Sequence, residues 1–288
     1  MDSSCVAADP VFDVEHVSYA YQSRFPALDD VSLQIEAGQK VVLLGANGSG
    51  KSTLLKILDG LYFPSTGVVR AFGQELTPRS LEDEATNWAF RRRVGFVFQE
   101  PDVQLFSPTV WDEVAFGCLQ LALPQPEVLG RVESTLALLG IQHLAERVPY
   151  GLSEGEKKKV SLASVLALEP EVLLLDEPTA ALDPRSQRAV VDLILDLNAQ
   201  GKTIVTATHD LDIAAEIADA VFVLGERKQL VSSGPPEAIL ADHDLLVAHN
   251  LAHVHRHVHV APHGGKAHNH PHLHHALHGH PAPEARDS

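Results

Sequence analysis

Apolar and polar positions alternate from about Phe12 to Ile35, which predicts two or three half-exposed strands with a turn at Gln22-Ser23-Arg24-Phe25-Pro26. The pattern then changes. Val41-Val42-Leu43-Leu44 is an unbroken apolar run, as expected of a strand covered on both faces, and Thr53 to Leu58 reads as a helix. Pro64-Ser65-Thr66-Gly67 predicts a turn before a strand over Val68 to Phe72. From Leu81 to about Val165 the spacing is mostly helical, broken by Gly and Pro. After Pro170 the chain predicts strands at Val172 to Leu175, Thr203 to Ala207 and Ala220 to Leu224. Helices are expected over Ser186 to Asn198, Leu211 to Ala218 and Pro236 to Leu246. Strands alternating with helices predict an α/β fold with a parallel sheet covered on both faces.

The periodicity ends at His249. Between His249 and His280 there are 13 histidines among Gly, Pro and Ala, with few large apolar residues. Such a segment cannot bury enough apolar area to offset chain entropy and is expected to be disordered without a ligand. The chain thus divides into a folded unit over 1–248, with a helical subdomain at about 90–165, and a low-complexity tail over 249–288.

Composition narrows the classes of function. A net charge of −16 speaks against an electrostatic grip on nucleic acid, and no nucleic-acid partner is expected. The two cysteines, Cys5 and Cys118, lie far apart and fit a reducing compartment. No basic segment followed by an apolar stretch opens the chain, so a secretory signal is not expected. No apolar run approaches the roughly 18–20 residues that span a bilayer, so any membrane role is expected to be peripheral.

Chemistry enters after the first apolar run. Gly45-Ala46-Asn47-Gly48-Ser49-Gly50-Lys51-Ser52 is a complete phosphate-binding loop, set between a strand and the helix that begins near Thr53. Its glycines let backbone N–H groups turn toward phosphate, and the helix N-terminus adds partial positive charge. Lys51 can reach the β- and γ-phosphates of a nucleoside triphosphate, and the Ser52 hydroxyl can ligate Mg²⁺. Further along, Val172 to Leu175 feeds Asp176-Glu177. At the end of a buried strand, Asp176 can hold Mg²⁺ directly or through water, and Glu177 can polarise an attacking water.

The order of these and further motifs resembles the ATP-binding subunit of ABC transporters over about residues 12–247. Tyr21 matches the aromatic that stacks on adenine, although Tyr19 competes for the role. Gln99 matches the Q-loop glutamine, which can sense Mg²⁺ and the water. Leu152-Ser153-Glu154-Gly155-Glu156 matches the signature loop, opening a helix over Glu156 to Leu168. Asp183 in Ala181-Leu182-Asp183 matches the D-loop, and His209 in Thr208-His209-Asp210 matches the switch histidine. The resemblance implies a P-loop NTPase fold: a RecA-like core, an N-terminal antiparallel β subdomain and a helical subdomain. It also implies that Ser153 and the Gly155 N–H bind the γ-phosphate of ATP held by a second chain. Glu177, His209, Gln99 and Lys51 would carry hydrolysis. A homodimer is favoured, docked on integral membrane permease subunits at the cytoplasmic face of the membrane. Position 154, usually glycine, is Glu154 here. Its carboxylate either points harmlessly to solvent, or slows hydrolysis or selects a non-identical partner.

Gln99 to Phe106, with Val110 and Asp112 to Gly117 after it, looks like the ATPases of energy-coupling-factor importers, especially the cobalt and nickel branch. The resemblance implies a groove here for a helix of the membrane partner; Phe106 and Trp111 would line it, or else lie in the core. The tail points the same way. His253, His255, His257 and His259 fall on one side of an extended segment, as do His270, His272 and His274. Neutral imidazole binds Ni²⁺, Co²⁺, Cu²⁺ and Zn²⁺, so the tail is expected to buffer or sense metal, the alternative being a solvated tail without a metal role. The expectation is an ATP-hydrolysing subunit of a nickel or cobalt importer. Vitamin import by a shared energy-coupling module, and a soluble nickel-handling ATPase, are the other readings.

Overall fold

A computed structural model describes residues 10–259 and 268–274. The alternating segment forms two strands, β1 (Phe12–Tyr21) and β2 (Phe25–Ile35), paired antiparallel with Phe12 opposite Ile35. With β4 (Thr66–Ala71) and the short β5 (Gln74–Glu75) they make a four-stranded antiparallel sheet in the order β2-β1-β4-β5.

The second sheet has six strands. Its centre is β3 (Lys40–Leu44), flanked in parallel by β8 (Thr203–Thr208) and β9 (Ala220–Leu224). β7 (Val172–Asp176) and β6 (Val94–Val97) extend it in parallel on one side, and β10 (Leu230–Gly234) closes the other side antiparallel. Every residue of β7 and β8 is buried, and β7 accordingly reads as a continuous apolar run up to Asp176.

Helix α1 (Lys51–Leu58) lies between the sheets, with Leu54, Leu55, Ile57 and Leu58 buried in the core they share. On the far face of the parallel sheet, α8 (Pro184–Ala199) and α9 (Leu211–Ile217) bury Val190, Ile194, Ala214 and Ile217. Both start on an aspartate N-cap, Asp183 and Asp210, whose side chains accept backbone N–H groups the helices cannot satisfy internally. Two short helices, α2 (Pro78–Glu82) and α3 (Glu84–Arg93), lead into β6. A third core fills a helical layer of α4 (Pro101–Gln104), α5 (Val110–Gln120), α6 (Gln125–Leu138) and α7 (Glu154–Leu166).

The structure departs from the sequence reading at four places. The stretch expected to be helical at about 90–165 contains β6, a strand of the central sheet. Gly95 makes that strand possible, since a Cβ there would stand 2.4 Å from Val165 of α7. Helix α7 begins at Glu154, two residues before the expected Glu156, because Ser153 caps it. The final helix is split at Asp242 into α10 (Pro236–Ala241) and α11 (His243–Ala248), Asp242 capping the second. Lastly, within the tail expected to be disordered, β11 (His253–His259) pairs antiparallel with β12 (His268–His274). Alternation of histidine with Val254, Val258 and Leu273 is a strand pattern, and β-branched residues favour it. Among the described residues the ribbon is hydrogen-bonded to no third strand, a form only marginally stable alone in water. Residues 260–267 and 275–288 of the tail, and Cys5, lie outside the described residues.

Candidate functional site

The phosphate-binding loop joins β3 to α1 at the carboxyl end of the parallel sheet. Gly50 takes φ 109°, and a Cβ there would lie 2.4 Å from the Ala27 carbonyl oxygen, so only glycine fits. Gly50 is also the N-cap, no side chain caps α1, and its first turn carries no acidic residue. The helix therefore offers free N–H donors and an unopposed positive dipole end, the arrangement that receives phosphate. Ser49 Oγ, buried in the same loop, has no hydrogen-bond partner among the described residues.

Strands β7 and β8 bring the remaining groups to the same edge. Ser52 Oγ donates to Asp176 Oδ1 at 2.9 Å. Lys51 Nζ donates to the Gly45 carbonyl at 2.7 Å and stands 3.6 Å from Glu177 Oε1, both side chains about 6% exposed. His209 Nδ1 lies 3.0 Å from the same carboxylate oxygen, within hydrogen-bond reach. Thr208 Oγ1 donates to the other oxygen at 3.3 Å. Glu177 itself sits at φ 45°, a left-handed conformation rare for a residue with a Cβ, held by its N–H donating to Ala207 O.

Burial leaves these charges poorly solvated. It pushes the Lys51 ammonium below its ordinary value, against the pull of Glu177 and Asp176. It pushes the Asp176 carboxyl up, opposed chiefly by the Ser52 hydrogen bond. A polyphosphate beside Lys51 and a divalent cation beside Asp176 would each supply the missing counter-charge. The donor set, a hydroxyl and a carboxylate, is the oxygen-rich kind that Mg²⁺ takes. The residues present therefore fit ATP and Mg²⁺.

A cleft of about 400 Å³ opens over the loop, lined among others by Tyr21, Asn47, Lys51, Ser52, Gln99 and Glu177. Thus Gln99 faces the same space as the loop, and so does Tyr21 rather than Tyr19. Tyr19 stacks on Tyr62 against the core, while Tyr21 packs edge-on to both and its hydroxyl is 2.9 Å from Thr53 Oγ1. Lys228 also lines the cleft and donates to the Gly48 carbonyl. It follows no motif, and only the β9–β10 turn brings it there. A cleft of about 470 Å³ lies at the opposite, amino-terminal edge of β7 and β8. Ligands of open parallel sheets bind at the carboxyl edge.

Ser153, Gly155 and Asp183 are not brought into this cleft. Ser153 caps α7 through a reciprocal capping box: Glu156 N donates to its hydroxyl, while its own N–H donates to Glu156 Oε2 at 2.9 Å. Asp183 accepts from Ser186 Oγ at 2.6 Å, which with backbone N–H groups holds its carboxyl below the usual range. A Cβ at Gly155 would meet nothing closer than 3.8 Å. Nothing among the described residues demands glycine there.

Two lysines of α7 grip the segment carrying Gln99. Lys158 Nζ donates to the carbonyls of Gln99 at 2.8 Å and Phe98 at 3.2 Å, and burial lowers its pKa to about 8. Lys157 Nζ pairs with Asp102 at 2.8 Å and with Glu154 at 3.2 Å. Beyond this segment Phe106 is 67% exposed and packs edge-on against Phe116. Val103 and Leu119 are also exposed. Trp111, by contrast, packs against the helical core. Phe106 is presented by Glu113, a buried carboxylate that accepts from Phe106 N at 2.9 Å and Ser107 N at 2.7 Å. No described helix is long and apolar enough to cross a membrane.

The family described as ABC transporter matches residues 28–180. The chain is 51% identical over 240 residues to the nickel import ATP-binding protein NikO of Rhodobacter capsulatus, covering 82% of this chain and 94% of that one. It is 43% identical over 239 residues to the energy-coupling factor transporter ATP-binding protein EcfA of Carboxydothermus hydrogenoformans, covering 83% and 86%. Among solved structures, cbiO1 of Clostridium perfringens, described as part of the ABC transporter complex cbiONQ, is 36% identical. It superposes with a TM-score of 0.71, covering 84% of this chain and 95% of that one. A bacterial ABC transporter cassette, MJ0796, solved as a dimer, is 28% identical with a TM-score of 0.71, covering 78% and 98%.

Proposed function

The chain belongs to the ABC transporter ATP-binding family, and from that premise we propose that it is the ATP-hydrolysing subunit of a transition-metal importer, for nickel or cobalt. The observation that carries the ATPase assignment is the convergence of Lys51, Ser52, Asp176, Glu177 and His209 at one sheet edge, over an uncapped helix N-terminus. The metal is inferred from the 51% identity to a nickel import protein together with the histidine-alternating tail. Vitamin import would give that tail no task.

The helix N-terminus and Lys51 bind the triphosphate, and Tyr21 at the cleft rim offers a ring face to the base. Ser52 and Asp176 would hold Mg²⁺, which offsets charge on the β- and γ-phosphates. Glu177, fixed by Lys51, Thr208 and His209, accepts a proton from the attacking water. His209, with Nδ1 against Glu177, keeps its other nitrogen for the γ-phosphate side. Gln99 orients the water through its amide.

One chain does not complete this site. Ser153 and Gly155, at the N-terminus of α7, are read as donors to ATP held by a second copy, and the dimeric MJ0796 cassette supports that pairing. The open space around Gly155 fits approach from outside. The exposed Val103, Phe106 and Phe116 are read as the seat of a permease helix, which would place the chain on the cytoplasmic face of the membrane. The tail is read as a metal buffer or sensor through His253, His255, His257, His259, His270, His272 and His274. Mg²⁺-dependent ATP turnover by the chain, measured alone and with its permease, tests the assignment; no turnover in either form would overturn it.

A further inference from the structure

The turn between β9 and β10 is built against the phosphate-binding loop. Leu224, the last residue of β9, sets its carbonyl oxygen where a Cβ on Gly45 would come within 2.7 Å of it. Further along the turn, Lys228 Nζ donates to the Gly48 carbonyl and lines the nucleotide cleft. Backbone hydrogen bonds hold the turn in shape. Lys228 N donates to Gly225 O at 2.9 Å, and Gly225 N donates to Gln229 O at 3.0 Å. Strand β2 holds it from the side: Asp29 N donates to Lys228 O at 2.9 Å, and Gln229 Nε2 donates to Asp29 Oδ2 at 2.7 Å. The same strand brings Phe25, Pro26 and Ala27 to the cleft.

Lys228 takes φ 67°, a left-handed backbone for which glycine is the unstrained choice. Such strain costs free energy and clusters at ligand clamps and active sites. Its charge is also unpaired: among the described residues no carboxylate lies within ion-pair range of it. An ammonium has three donors, and the Gly48 carbonyl engages one. Lys51 differs, because its ammonium is enclosed by Gly45 O at 2.7 Å, Ala46 O at 3.3 Å and Glu177 Oε1 at 3.6 Å. Resting on the reading that this cleft binds ATP, we propose that Lys228 is a nucleotide-binding residue, a second ammonium for the polyphosphate. The β9–β10 turn supplies it, outside every nucleotide motif. Held against the Gly48 carbonyl, its side chain is already ordered before the anion arrives, so binding costs it little freedom. Hydrogen bonds from an ammonium to phosphate are charge-assisted and strengthen with the charge they meet. Lys228 therefore favours nucleoside tri- and diphosphates over monophosphates.

The test uses the full chain with Mg²⁺ and N-methylanthraniloyl-ATP as the fluorescent probe, displaced in turn by ATP, ADP and AMP. Lys228→Met should weaken ATP at least about tenfold, the scale of one charge-assisted hydrogen bond, and AMP by no more than about threefold. Lys228→Arg keeps the charge and should stay within about threefold of wild type for all three nucleotides. Added salt should erode ATP affinity less steeply in Lys228→Met than in wild type, since one screened contact is gone. Lys228→Gly relieves the left-handed backbone, so it should bind ATP as weakly as Lys228→Met yet melt no earlier than wild type. An equal loss for ATP, ADP and AMP would overturn the proposal and leave Lys228 as a prop for the Gly48 loop. Wild-type affinities in Lys228→Met would overturn it as well. Absence of ATP binding in wild type would overturn both this role and the reading of the cleft.

Discussion

Lys157 holds Glu154 at 3.2 Å, and the same ammonium holds Asp102 at 2.8 Å. The carboxylate that replaces the usual glycine at position 154 is thus tied to its own helix and turned onto the segment that carries Gln99. Its charge has a partner before any phosphate arrives, which favours the harmless reading of Glu154 over the inhibitory one.

Glu154→Gly should therefore change ATP turnover by no more than about threefold, the scale of an exposed ion pair. Lys157→Met should slow turnover more, because it frees both carboxylates, and adding Glu154→Gly to it should recover part of the loss. A double-mutant cycle of steady-state rates measures this; strict additivity would show that the pair does not communicate.

Glu177→Gln should lower turnover at least about 100-fold while sparing ATP binding, since it removes the base and keeps the shape. Lys51→Ala should weaken nucleotide binding as well. Nucleotide affinity by fluorescence titration alongside phosphate release separates the two. A Glu177→Gln protein keeping more than about a tenth of the wild-type rate would remove that residue from the role.

Asp59, at the end of α1, is buried, and burial pushes its carboxyl up to about 7 even though Arg91 donates to it at 2.9 Å. Its folded-state pKa lies above its unfolded value. Its stabilising contribution is complete below the unfolded value near 4 and is lost as pH rises through about 7. Thermal unfolding of Asp59→Asn between pH 4 and pH 7 should lack that decline. Parallel curves for the two proteins would contradict the burial argument.

Glu113→Ala should unseat the loop that presents Phe106, because two backbone N–H groups lose their acceptor, at about 1–3 kcal/mol. Phe106→Ala should leave the loop intact and remove the exposed ring. Both should reduce co-purification with the permease while the basal ATP turnover of Phe106→Ala stays within about twofold. Full co-purification of Phe106→Ala would move the docking site elsewhere.

Truncation should fall after Ala252, since Leu251 and Ala252 pack into the core beneath α11. The shortened chain should keep its ATP turnover and lose the metal bound by the tail; an unchanged metal content by elemental analysis would refute the tail's role.

The nucleotide site was legible because its chemistry is local: the loop and the Asp176-Glu177 strand end each carry their motif in a few contiguous residues. Strand β6 was not, because four residues around a glycine give too little periodicity and only Val165 explains Gly95. Lys228, Glu113 and Lys158 act across 7 to 180 residues of chain, and no spacing rule links them to Gly48, Phe106 or Gln99. The tail's histidine alternation was plain, whereas its pairing depends on a register that sequence does not state.

The most direct measurement of ATP-driven metal import is uptake of labelled nickel and cobalt by cells carrying the chain with its permease, comparing wild type with Lys51→Ala. Uptake of one of these metals that collapses in the variant is the expected result. Equal uptake in both would contradict it.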